Sequence, residues 1–276
     1  MICDLKSWCW LGLMFTLHIP ASGVTNFGPL ILRGFGFDDY HVMLFQMPYG
    51  ACQLIVIFLG FVSTIYFYSL AKSLNIHDKW LSKRYRVKSY IIFCALLPAI
   101  AASGKSKTSK GPSSTTDRPS AYYLLSSYCV VGPLIVNWQS SNTAGHSKKT
   151  STTAITTMGS VGGSIVGPLL FDPKDKPYYR RGLQSLVICF STCLLLTVMT
   201  TLYLKHLNRV NRRRRIAAGK KADIVDYSMM SIEEAEAERA KQSSQSSSEG
   251  DGMSPTGTRA FDDLTDLQND EFIYVY

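Results

Sequence analysis

Acidic side chains are scarce over most of this chain. Of the 20 Asp and Glu in 276 residues, the first 204 positions hold only Asp4, Asp38, Asp39, Asp78, Asp117, Asp172 and Asp175. None lies inside an apolar block. The sequence also lacks a C-x-x-C pair. Its 7 cysteines (Cys3, Cys9, Cys52, Cys94, Cys129, Cys189 and Cys193) follow no disulfide or metal-ligand spacing. Cys189 and Cys193, one helical turn apart, read as packing residues. No acid pair, nucleophile elbow or phosphate loop accompanies His41, His77, His146 or His206, which excludes an enzyme reading on residue evidence, and no cofactor is implied. The net charge of +9 does not point to nucleic acid. A nucleic-acid surface gathers its basic residues on one soluble face, and the apolar runs leave no such face.

Those runs are the main feature of the sequence. A bilayer core about 30 Å thick takes about 20 apolar residues as a helix. Six stretches qualify: Trp8–Leu32, Val42–Leu70, the short Val87–Ser103, Ala121–Trp138, Thr152–Phe171 and Gly182–Leu204. The fold class expected is therefore an all-α membrane bundle of six spans over residues 1–204. The beginning could be taken for a signal peptide, with Lys6 before an apolar run and Ala21-Ser22-Gly23 after it. Trp8 and Trp10 at the start of the run, and apolar sequence resuming at Val24, argue against that. Lys and Arg in short loops set orientation. Lys72, Lys79, Lys83, Arg84, Arg86, Lys148, Lys149 and above all the run Arg212–Arg215 fall on one side, so both termini are expected in the cytoplasm. Gly104–Ser120 reads as a polar connection. The tail, 205–276, reads as cytoplasmic and largely disordered by composition, with a capped helix near Ser231–Lys241 and a Ser/Gly linker over Gln242–Thr258.

Neutral polar residues inside spans are the candidates for a substrate pathway, because each costs energy in lipid. They are Asn26, Gln46, Gln53 and, at and just past the end of the fourth span, Asn137, Gln139 and Asn142. Interhelical hydrogen bonding is the competing use of each. His18 reads as a hydrogen-bonded structural histidine. Gly159, Gly163 and Gly167, spaced by four on one helix face, predict a close backbone contact with a neighbouring helix. Pro20 and Gly23 predict a break in the first span, a device that transporters use at substrate sites.

Asn26-Phe27-Gly28-Pro29-Leu30-Ile31 with Gly34-Phe35-Gly36-Phe37 resembles the seventh span of fungal permeases of the allantoate permease family, anion:cation symporters of the major facilitator superfamily. Met47-Pro48-Tyr49-Gly50-Ala51-Cys52-Gln53 is similar to the start of their eighth span. Asn137 through His146 resembles the end of their tenth, and Gly159–Pro168 with Leu169-Leu170-Phe171 their eleventh. Asp263-Leu264-Thr265-Asp266, Asn269 and Phe272-Ile273-Tyr274 resemble their C-terminal tail. The resemblance implies the C-terminal half of a twelve-span fold, a plasma-membrane location, and transport of a small organic anion of ureide, vitamin or carboxylate type with protons. A second six-span half or another copy is the partner implied. The alternative is a truncated half-permease with no transport of its own, at most an interaction partner. The loop Ala71–Arg86 and the Ser/Lys-rich stretch depart from the family pattern.

Overall fold

The structure, a computed structural model, describes residues 4–34, 38–73, 92, 95–101, 123–171, 180–218, 265–269 and 272–275. Among these the regular structure is all helix. Helix α1 spans Leu5–Gly34 and α2 spans Asp39–Ser73. A 3-10 turn, Ser126–Val130, leads into α3, Val131–Ser141. Helix α4 spans His146–Leu169 and α5 spans Arg180–Ala217. Of the expected third span, only residue 92 and a helical stretch at 95–101 are described. The Gly104–Ser120 connection, most of the 71–86 loop, the 231–241 helix and the 242–258 linker lie outside the described residues.

Two helical segments, Asp39–Ser63 and Arg181–Ala217, are long and apolar enough to cross a membrane. At 30 and 24 residues, α1 and α4 have the length, but Thr, Ser, Gly and His dilute their apolar character.

Three expectations need correction. The first span is not broken: α1 runs through both Pro20 and Pro29. Each proline removes one backbone donor, and packed neighbours make such a loss tolerable in a membrane helix. The sixth helix does not stop at Leu204 but continues to Ala217, carrying the basic run as helix, since Arg is a good helix former. Finally, the tail is not uniformly detached. Residues 265–269 and 272–275 return to the bundle, and Asp266 and Tyr274 are fully buried.

Helix α1 is the axis of the core. Trp10, Leu13 and Leu17 pack with Leu134, Ile135 and Trp138 of α3 and with Leu186, Phe190 and Cys193 of α5. Trp10 meets Trp138 edge-on, with ring centroids 5.0 Å apart, a favoured aromatic geometry. Phe171 wedges between helices. Its ring stacks on Phe27 at 4.8 Å, and a Cβ on either Gly23 or Gly182 would collide with it. Helix α2 lies at the periphery, with Met43, Leu44, Met47, Leu54, Ile55 and Phe58 exposed.

Candidate functional site

The glycines of α4 bring it against α1 backbone to backbone. A Cβ added at Gly159 would stand 2.7 Å from the Leu11 carbonyl oxygen. At Gly163 it would stand 2.5 Å from that of Phe15, and at Gly167 2.5 Å from that of Ile19. Real side chains never come that close, so only hydrogen fits at these three positions. The Ser22 hydroxyl donates across the same seam to the Ser164 carbonyl at 2.9 Å. On the opposite face of α4, Met158, Val161, Ile165 and Leu169 are exposed. One helix thus carries a backbone-contact stripe and an apolar outer stripe.

The polar residues singled out in the sequence do not converge on one point. Asn26 is exposed, and its amide donates to the Ser22 carbonyl one turn back, at 2.9 Å. Gln46 is exposed and Gln53 half-buried on α2; Asn137 is exposed on α3. Gln139 is buried and donates to the Thr153 hydroxyl at 3.3 Å. His18 holds the Met14 carbonyl at 2.9 Å within its own helix. Asn142 is fully buried.

At the end of the bundle where α1 and α4 begin and α5 ends, four charges are buried together. Asp4 caps α1, its carboxylate accepting the Lys6 backbone N–H at 3.1 Å. The turn from α3 to α4 passes through Gly145 at φ 88°, a left-handed conformation that favours glycine. That turn sets Asn142 and Lys148 beside the start of α1. Lys148 pairs with Asp4 at 2.7 Å and with Asp266 at 2.9 Å. Lys6 pairs with the other oxygen of Asp266 and donates to the Asn142 carbonyl at 2.6 Å. The Tyr274 hydroxyl donates to the Asp266 carboxylate at 3.1 Å, and its ring lies 4.9 Å below the Lys6 ammonium.

Burial alone would push the Asp266 carboxyl up, but Lys6 and then Lys148 outweigh it and hold the group below its ordinary value. For Lys148, burial is likewise overcome, by hydrogen bonds to Asp266 and Asp4, and the ammonium is held above its usual range. Lys6 goes the other way: its deeper burial wins and lowers it.

The backbone of the returning segment is held by amide side chains. Asn142 donates to the Val275 carbonyl and accepts its N–H, both at 2.8 Å. Asn208 of α5 does the same at Tyr274, at 2.8 and 2.9 Å. The Trp138 indole donates to the Val275 carbonyl at 2.8 Å, and Asn211 to that of Phe272 at 3.2 Å. Sequence reasoning missed this arrangement. In sequence, Lys6 is only the charge ahead of the first apolar run, Lys148 only a loop charge, and Asp266 and Tyr274 only part of a family-like tail.

The described residues form a helical bundle with an apolar outer surface, backbone-close internal helix contacts and two helices long and apolar enough to cross a membrane. Comparison with known proteins agrees. The chain is 27% identical over 225 residues to an MFS-type transporter of Penicillium expansum, covering 80% of the chain and 42% of that protein. It is 27% identical over 220 residues to an uncharacterized transporter of Schizosaccharomyces pombe (78% of the chain, 38% of that protein). With the allantoate permease of Saccharomyces cerevisiae the identity is 24% over 218 residues (78% and 37%). The relatives matched over about four fifths of the chain are thus fungal transporters, an MFS-type transporter and an allantoate permease among them. The chain spans about two fifths of the length of the curated relatives it matches. No family model and no solved structure matches it.

Proposed function

We propose that this bundle is one six-span half of a major facilitator transporter that moves a small organic anion together with protons. The observation that carries the reading is the alignment of about four fifths of the chain with transporters. The relative named for allantoate makes ureides and related carboxylates the first substrate class to test. In this reading both termini are cytoplasmic, the membrane is the plasma membrane, and Asn26, Gln46, Gln53 and Asn137 contribute to the substrate pathway. Asn142, the remaining candidate, is bonded to Val275. In such transporters the substrate lies between two halves near the bilayer midplane, and alternating access rocks one half against the other. A single half has one wall of that cavity. The close α1–α4 seam supports a half that moves as one body.

The test is uptake of labelled allantoate and a panel of small carboxylates in permease-deficient yeast at acidic and neutral pH. The chain alone is expected to accumulate none. The chain joined to the first six spans of the allantoate permease is expected to accumulate at least one, faster at acidic pH. Robust uptake by the monomeric 276-residue product would refute the half-transporter reading. A correctly inserted two-half protein that moves nothing would refute transport of this substrate class.

A further inference from the structure

The cleft at the α1/α4/α5 end is filled by residues from the far end of the chain, Asp266 lying 260 positions from its partner Lys6. We propose that this cleft is a reversible docking site for a peptide carrying a carboxylate ahead of an aromatic residue, and that the chain's own C-terminal segment is its detachable occupant.

The seat belongs to the bundle, and the segment is a guest in it. Lys6 and Lys148 each take one oxygen of the same carboxylate. Asn142 and Asn208 each present both ends of an amide to one guest residue, as a neighbouring strand would. These four bonds read the guest's backbone. The carboxylate and the buried aromatic of Tyr274 read its side chains. The segment also closes on itself, since the Tyr274 hydroxyl donates to the Asp266 carbonyl as well as to its carboxylate, both at 3.1 Å. It therefore leaves or enters as one unit.

What makes departure possible is the partner each lysine retains. Removing one member of a buried ion pair normally strands the other charge. Here Lys148 keeps Asp4 at 2.7 Å, and Lys6 keeps the Asn142 carbonyl at 2.6 Å. The freed amides of Asn142, Asn208 and Asn211 can be hydrated. Each lysine thus keeps a polar partner when the segment leaves, as a two-state element requires. With Asp266 gone the cluster holds two lysines against one acid, and that net positive charge selects a carboxylate as the returning ligand.

A specific protease site inserted between Ser247 and Ser248 turns the segment into a separate peptide after the full chain has folded. The nicked protein in detergent should retain its C-terminal fragment on size exclusion. An excess of synthetic peptide covering residues 263–276 should displace the fragment within hours. The same peptide bearing Asp266→Asn should compete at least tenfold less well. Using variant peptides against the unaltered bundle keeps a folding defect from imitating the result. Equal competition by the Asp266→Asn peptide would show that there is no carboxylate seat. A fragment that never exchanges would show a permanent structural part. Either outcome overturns the proposal, and neither depends on transport activity.

Discussion

Asp266 is the residue on which most of the buried charge depends, and its behaviour with pH follows from its neighbours. Two lysines hold its carboxyl below the ordinary value of 3.8. A depressed acid favours the docked state above that ordinary value, and the contribution disappears as pH falls through the docked one. Lys148 is held above 10.5 partly by Asp4, which it keeps in both forms, and Lys6 stays in the bundle in both, so the pH dependence of docking belongs chiefly to Asp266. Docking should therefore be unaffected by acid until the pH falls below 3.8, and should be lost as it falls through the lower docked value. Hydrogen exchange at the Tyr274 and Val275 amides, which Asn208 and Asn142 hold, reports it directly. Asp266→Asn should lower protection at neutral pH and flatten the acid limb. An acid limb unchanged by that substitution would assign the release to another group.

Helix α4 shows how far sequence periodicity reaches. Glycines at 159, 163 and 167 predict a face that approaches a neighbour closely, and all three meet the α1 backbone. Gly162, between them, differs: a Cβ there would rest 3.5 Å from the Phe15 ring, an ordinary contact. Gly163→Ala should thus cost about 1–3 kcal/mol, the range for overpacking a tight contact. Gly162→Ala should be near neutral or slightly stabilising through reduced freedom of the unfolded chain. Thermal unfolding in one detergent decides between them, and equal melting temperatures would mean the seam is loose. The stripe was legible because its information lies within one helix turn and the next. Helix ends were less so. Pro20 and Gly23 suggested a break in α1 that packing against neighbouring helices overrides, and nothing local to α5 says that Asn208 and Asn211 would be engaged beyond Leu204. The tail dock was least legible. Its donors come from α1, α3, the turn after it, α4 and α5, and its carboxylate from a polar segment whose composition argues against order. Composition records what a segment cannot bury alone; it does not record a cleft built elsewhere in the chain.

For the whole molecule, the distribution of apolar surface raises the last question. In water, exposed Met43, Met47, Leu54 and Phe58 on α2, Met158 and Ile165 on α4, and Leu195 and Met199 on α5 would present extensive apolar surface, which soluble monomers rarely carry in contiguous patches. In a bilayer the same surface is neutral, because lipid tails are as apolar as leucine. Lipid and a second half are both apolar, so apolarity alone does not say which covers α2. Of the two described helices long and apolar enough to cross a membrane, α2 is the more exposed. A lipid-soluble diazirine separates the two coverings. In vesicles containing the chain alone, the outer faces of α2, α4 and α5 should label together, while Leu13 and Leu17 of α1 stay dark. When the chain is joined to a complementary half, α2 labelling should fall at least severalfold if that half seats there, with the outer face of α4 as the internal control. Labelling of Leu13 would mean that α1 is not the axis of the bundle. An α2 that is dark already in the lone chain would mean that copies of this chain cover one another through that helix.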